Sequence, residues 1–301
     1  MKDITVEEAK GPVKRVLLLT HKAPEVTANA LPGVLSLLDD ANVELLVPER
    51  EARKHPTLDG YRRAGGIELH PGGQDLILVL GGDGSILRAL AREAGSGAPV
   101  IGINYGRVGF LASIERRELE SGVRRALAGE YITLELPSLR ASWAEGEANA
   151  VNDLALLRGG EARLADLSYA VNGAPAANVR CDGMVCSTPV GSTAYNLAVG
   201  GPTVSWGVRC YVVSFLAAHH LDARPLVLAR DETFTVTNAA VTGDCDIYSD
   251  GQRLGAIGLA PCSDFKSLPP DHARHRAACM HRAAQAVVGR RVFVVHAPAR
   301  G

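Results

Sequence analysis

Short apolar runs alternating with amphipathic stretches organise the first third of the chain. Lys14–Thr20 (KRVLLLT), Val43–Val47 and Asp75–Leu80 (DLILVL) read as strands. The last is so continuously apolar that it fits a parallel sheet covered by helices on both faces. Between the first two, Val26–Asp40 places Leu31, Val34, Leu35 and Leu38 at helical spacing, with Pro32 interrupting the pattern. A glycine turn follows Leu80, then a helix from Ser85 to about Ala94, then a strand at Pro99–Asn104. Strand, turn, helix, strand is the rhythm of a parallel α/β sheet.

Beyond a helix near Arg116–Ala128 the period changes to that of short strands: Ile132–Trp143, Asn149–Leu157, Leu164–Val171 and Ala177–Ser187. Asn172-Gly173 between two of them is a strong hairpin signal. Val212–Leu216, Pro225–Leu228 and Thr233–Asn238 extend the β pattern. The expectation is an α/β domain over residues 1–112 and a mostly antiparallel, β-rich domain over 113–265. A basic tail over 266–301 would form a helix from Asp271 before a last strand-like run, Val292–His296.

Composition narrows the class. The 301 residues carry 32 Lys and Arg against 33 Asp and Glu, a formal net charge of −1, with 47% hydrophobic and 22% charged residues. Such a chain is globular, neither disordered nor fibrous. It lacks the basic excess that holds nucleic acid or a membrane surface by bulk charge, so neither is expected as a partner. The six cysteines lie apart, with no C-x-x-C pair, unlike a secreted disulfide scaffold. The first residues, MKDITVEEAKGPVK, have no apolar core of a signal peptide, and the apolar runs are too short to span a bilayer. A soluble cytoplasmic protein is expected.

Many of the 32 glycines fall in a few tight clusters, and these mark candidate sites. Gly81-Gly82-Asp83-Gly84-Ser85 lies between a buried strand and a helix. There the backbone can approach an anion, and the new helix offers free N–H groups and its positive dipole end. A carboxylate inside a phosphate turn makes sense as the acceptor of an alcohol proton or as the holder of a bridging cation. A plain glycine turn ending a strand is the alternative. The second cluster is Gly102-Ile103-Asn104-Tyr105-Gly106-Arg107-Val108-Gly109-Phe110-Leu111. The third is Cys181-Asp182-Gly183-Met184-Val185-Cys186-Ser187-Thr188-Pro189-Val190-Gly191-Ser192-Thr193-Ala194-Tyr195, followed by Gly200-Gly201-Pro202. Its hydroxyls and glycines suit ribose and phosphate, and its tyrosine offers a stacking face for a base. Asn152-Asp153 pairs an amide with a carboxylate, able to donate to and accept from a vicinal diol. No G-x-x-x-x-G-K-[ST], no G-x-G-x-x-G after a strand and no protein-kinase signature is present.

With LGGDGS, GINYGRVGFL, VND, CDGMVCSTPVGSTAY plus GGP, and SDGQ in this order, the sequence resembles the NAD kinase family from about Leu17 to about Leu259. The glycine-aspartate element alone is shared with lipid kinases and phosphofructokinase-like enzymes; the ordered set is far more specific. The resemblance implies a Rossmann-like N-terminal domain and a β-rich, sandwich-like C-terminal domain. It also implies transfer of a phosphoryl group from ATP, or polyphosphate, to the 2′-hydroxyl of the adenosine ribose of NAD, giving NADP. Magnesium or another divalent cation and a homodimer or homotetramer come with it. By position, Asp83 falls on the proton acceptor, with Gly82, Gly84 and Arg88 beside it, and Asn104 in the second motif. Asn152 and Asp153 fall on the family's Asn-Glu pair. Arg163, Arg180, Asp182, Thr193, Ala194, Tyr195, Asn196, Leu197, Ala198 and Gln252 fall on NAD-contacting positions. Asp153 departs from the usual glutamate, Ser85 and Val190 from threonine. Ala217–Leu221 follows its motif loosely, and the tail beyond Phe265, which would pack back on the first domain, does not match. The rival readings are a superfamily kinase acting on a lipid or sugar alcohol and a non-catalytic NAD(P)-binding regulator.

Other constellations carry less. Asp244, Asp246 and Asp250 before Gly251 lack the spacing and closing glutamate of a calcium loop and read as a polar hairpin. His272, His275 and His281 read as a solvated helix face. Cys181 and Cys186, flanking the third motif, are candidates for oxidation sensitivity.

Overall fold

The computed structural model describes residues 6–8, 11–61, 63–64, 73–92, 97–106, 110–160, 162–220, 222–240, 243–258 and 284–296. The chain forms two compact units, one comprising residues 2–136 with 291–301, the other residues 137–290. The helix Leu119–Leu127 therefore belongs to the α/β unit.

In the α/β unit, parallel strands lie side by side in the order Arg63–Ala64, Glu44–Pro48, Arg15–Thr20, Leu76–Gly81 and Val100–Asn104. By position in the chain that order is third, second, first, fourth, fifth. The connection changes direction between Arg15–Thr20 and Leu76–Gly81, and in such sheets the crevice at the carboxyl ends of the two strands flanking this reversal takes the ligand. Every residue of Leu76–Gly81 is buried, as its unbroken apolar run predicts. Helix Leu31–Asp40 starts five residues later than the sequence pattern suggests. Pro32 sits in its first turn, where the missing N–H costs nothing, and a short 3₁₀ turn, Pro24–Val26, precedes it. Leu31, Val34, Leu35 and Leu38 face the core, as their spacing requires.

The β-rich unit has one sheet ordered Leu226–Ala229, Cys210–Leu216, Gly183–Ser187, Asp153–Arg158, Cys245–Ser249 and Gln252–Ile257, all antiparallel. A second set pairs Ala174–Cys181 with Ala165–Val171, which pairs with Phe234–Asn238. Leu167, Val179 and Phe234 from the second set share a core with Leu154, Met184, Tyr211 and Ile247 from the first. Asn172 and Gly173, at φ 51° and 78°, make the expected two-residue turn. Asp250 and Gly251, at φ 45° and 78°, make another, so the polar hairpin reading of that stretch is right. At the free edge, Pro175 and a bulge near Ala170 blunt the strand Ala174–Cys181 against further pairing.

The tail departs from expectation. Ala284–His296 is a strand throughout, so the helix expected from Asp271 is not formed over 284–291. Phe234, Thr235 and Val236 pair antiparallel with Ala286, Gln285 and Ala284, and Val294 pairs parallel with Val100. The valine-rich stretch thus follows its β propensity where backbone partners are available. The rest of the expected helix, with His272, His275 and His281, lies outside the described residues, as do Cys262 and Cys279.

Candidate active site

Strand Leu76–Gly81 ends at the direction reversal of the sheet, and helix Asp83–Arg92 starts directly after Gly82. The glycines here are steric necessities. A Cβ on Gly81 would lie 2.5 Å from the Ser85 Cβ. One on Gly82 would lie 3.2 Å from the Gly106 Cα, and one on Gly106 3.1 Å from the Gly82 Cα. The turn and the loop after Val100–Asn104 therefore touch backbone to backbone. The Tyr105 N–H donates to the Gly81 carbonyl at 3.1 Å, and the Asn104 Oδ1 accepts from the Gly106 N–H at 3.0 Å. Gly84 is exposed, with open space where a side chain would be. That leaves the helix N-terminus approachable by an anion.

Asp83 is half-buried, and its carboxylate accepts from the backbone N–H groups of Phe110 at 2.9 Å and Leu111 at 3.2 Å. Each oxygen keeps a second lone pair for a ligand proton. Arg88, exposed one turn further on, donates to the Ser85 Oγ at 3.1 Å. The sequence motifs missed a buried polar cluster at the end of strand Arg15–Thr20. Glu51, 1% exposed, accepts from the Thr20 N–H, the Thr20 hydroxyl and Lys54 Nζ, and the His55 Nε2 lies 3.0 Å from the same hydroxyl. With these partners satisfied the cluster fixes the strand end; burial holds the His55 pKa down.

In the β-rich unit the strand Asp153–Arg158 sorts the remaining candidates. At its start, Val151, Asn152 and Asp153 donate their backbone N–H groups to the carboxylate of Asp250, at 3.0, 2.8 and 3.1 Å. The Asp250 N–H returns a bond to the Asp153 carbonyl at 2.9 Å. Asn152 then receives the Thr188 N–H on its carbonyl at 2.9 Å, and a Cβ on Gly191 would collide with that same carbonyl. The Asn152 side-chain amide has no hydrogen-bond partner among the described residues, so it is available to a ligand. Asp153 is buried; desolvation, reinforced by the charge of Asp250, raises its carboxyl to about 7, against the pull of the Tyr195 N–H.

Tyr195 opens the short helix Tyr195–Ala198 and is half-buried, while Thr193 and Ala194 are half-buried and Leu197 and Ala198 exposed. Asn196 faces the other way. Fully buried, it donates to the Ser192 and Pro202 carbonyls at 3.1 and 3.0 Å and accepts from the Ser214 hydroxyl at 2.7 Å. All its hydrogen-bonding capacity toward a ligand is spent within the protein, so it shapes the loop. Gln252 is exposed on the strand after Asp250.

Arg180 and Asp182 lie elsewhere. Arg158 donates to Asp182 at 2.9 Å, and Arg180 to Asp166 at 3.2 Å. Asp182 thus sits at the far end of strand Asp153–Arg158, about 17 Å from Asp153 along it. Arg163 is exposed in the loop beyond that end. Sequence reading named Asp250 only within a motif and a polar hairpin and missed what its carboxylate holds; it missed Arg158 altogether. For Asp250 the available signal was an aspartate before glycine in a left-handed turn.

The cysteine idea does not survive burial. Cys181, Cys186 and Cys245 are buried, and desolvation raises their thiols to about 11, about 12 and about 12. Such thiols hold little thiolate and react slowly. Iodoacetamide applied to the folded protein is expected to leave the peptides holding Cys181 and Cys186 unmodified by mass spectrometry; their alkylation in the native state would contradict this.

The fold is that of a two-unit protein with a glycine turn at a parallel-sheet reversal and an amide–carboxylate pair on an antiparallel sheet. Residues 19–131 match the ATP-NAD kinase N-terminal domain and residues 151–259 the ATP-NAD kinase C-terminal domain. NAD kinase of Leifsonia xyli is 39% identical over 194 residues, covering 62% of this chain and 64% of that protein, under two thirds of its length. NAD kinase of Corynebacterium diphtheriae is 34% identical over 259 residues, 82% of this chain and 81% of that one. Two solved structures share the fold. Yeast NADH kinase complexed with NADH has a TM-score of 0.77 at 19% identity, covering 95% of this chain and 84% of that one. An NAD kinase from Archaeoglobus fulgidus in complex with ATP has 0.68 at 21%, covering 94% and 93%. The chain belongs to the NAD kinase family.

Proposed function

We propose that the protein phosphorylates NAD, transferring the γ-phosphoryl of ATP, or a phosphoryl of polyphosphate, to the 2′-hydroxyl of the adenosine ribose. The observation that carries this reading is Asp83, seated on a glycine turn at the sheet reversal in a chain that matches both domains of the family. Asp83 accepts the hydroxyl proton as the ribose oxygen attacks the terminal phosphorus, and the bond from that phosphorus to its bridging oxygen breaks, releasing ADP or the shortened polyphosphate. The N–H groups of Gly84 and its neighbours at the helix start take the phosphate charge, and positioning does most of the rest. Asn152 and Asp153, with Thr193, Ala194 and Tyr195, bind NAD in the β-rich unit.

Among the described residues no three histidine, cysteine, aspartate or glutamate side chains converge as a metal cage. Asp83, the single carboxylate on the turn, is the residue that would face a divalent cation, which would neutralise charge on the donor's phosphates. No helix among the described residues is long and apolar enough to cross a membrane. A cytoplasmic setting and a homodimer or homotetramer belong to the same proposal. Purified protein incubated with NAD and magnesium, with ATP in one arm and polyphosphate in the other, is expected to form NADP in at least one. Failure in both overturns the reading.

A further inference from the structure

We infer that Asp250 is a positioning residue for the dinucleotide: its carboxylate gathers the backbone N–H groups of Val151, Asn152 and Asp153 and so fixes the turn that presents Asn152 and Asp153. The inference rests on the proposed binding of NAD by Asn152 and Asp153, and it gives a role to Asp250, which the sequence alone marks only as part of a motif and a polar hairpin. Three consecutive backbone N–H groups converge on one side chain at 2.8 to 3.1 Å. Asp250 itself is held in the left-handed region, at φ 45°, by the two-residue turn with Gly251, and its own N–H binds Asp153 in return. The chain direction at Asn152 is therefore dictated by a residue on another hairpin. On the far side, Thr188 closes the same turn, its hydroxyl donating to the Val151 carbonyl at 2.7 Å. With the backbone clamped on both sides, the Asn152 amide and Asp153 carboxylate project in one fixed pose.

The clamp also brings a second carboxylate close to Asp153. The groups facing Asp153 are Asp250 from the hairpin, Tyr195 from the short helix and the Cys186 thiol from the neighbouring strand. Burial, reinforced by the like charge of Asp250, moves Asp153 to about 7; burial also raises the Asp250 carboxyl, against the pull of its three backbone N–H partners. An ionised Asp153 accepts from two ribose hydroxyls, so NAD binding strengthens as pH rises through that region. Removing the Asp250 charge favours ionisation of Asp153 and moves the inflection to lower pH.

The test is calorimetric titration of NAD into the full chain between pH 5.5 and 8.5, for wild type and Asp250→Asn. Asparagine keeps the size but offers one acceptor oxygen and no charge. The expected result is roughly 10- to 100-fold weaker NAD binding at pH 8. The inflection moves below that of wild type, and ATP binding stays unchanged. A merely structural role would leave the inflection in place. Should D250N not fold, Asp250→Ser is read the same way. Equal NAD affinity and an unmoved inflection in a folded variant overturn the inference, as does a wild-type affinity that is flat across the range. A wild type that binds no NAD at any pH overturns the proposed function instead.

Discussion

Asp83→Asn lowers kcat for NADP formation by about 10²- to 10⁴-fold, the range lost when a positioned general base is removed. The substitution is nearly isosteric, and its remaining carbonyl oxygen can still accept from Phe110 or Leu111, so the loop those residues begin stays close to the turn. What disappears is the acceptor of the ribose proton. A ribose hydroxyl is a poor nucleophile at neutral pH, and the residual reaction depends on water or hydroxide instead. The expected signature is a large fall in kcat with little change in the KM for NAD, whose proposed binding groups, Asn152 and Asp153, lie on the β-rich unit. A kcat within about threefold of wild type, in a variant of unchanged thermal stability, would falsify the assignment of Asp83 as the base.

Asn196→Ala is expected to cost the most stability of any change near the NAD-binding motifs, about 3–5 kcal/mol. The lost amide leaves the buried Ser192 carbonyl, the part-buried Pro202 carbonyl and the buried Ser214 hydroxyl without this partner, and opens a void. Gly201 shows how tightly the site is packed, since a Cβ there would collide with the same amide. In a chain of this size the loss corresponds to a Tm lower by about 10 °C. NAD affinity falls with it, because the segment from Thr193 to Tyr195 takes its path from these bonds. Differential scanning calorimetry and NAD titration check both effects. A Tm lowered by less than about 3 °C would show that the network is dispensable.

The two units differ in how far the sequence revealed them. Leu76–Gly81 and Arg15–Thr20 were legible because a strand buried on both faces must be apolar at every position, and that pattern is local. Asn172-Gly173 was legible because a two-residue hairpin demands left-handed backbone at both centres, which few dipeptides adopt. Ala284–His296 was misread over its first half. Alanine, glutamine and valine fit either period there, and the deciding partners, Phe234–Asn238 and Val100–Asn104, lie far away in the chain. The site divides in the same way. Gly82 and Asp83 stood out because close backbone approach and proton acceptance each require one residue type at one place. Asp250 did not, since its meaning comes from Val151, 99 positions earlier, and no local rule predicts that meeting. Asn196 shows a different limit: it lies inside the proposed binding motif, and only the structure shows that its side chain bonds to its own loop and to Ser214.

The pairing of Val294 with Val100 bears on how the chain folds. The α/β unit is discontinuous, and a neighbour of its fifth strand is synthesised only after the whole β-rich unit. A nascent chain can therefore pack the strands from Arg15 to Asn104 early, but this sheet gains its last partner late. Parallel pairing across so long a loop is slow to form, although each doubling of loop length adds only about 0.6 kcal/mol of closure entropy. Completion of the α/β sheet then awaits residues made after the whole β-rich unit, so the folding of the first unit depends on the synthesis of the second.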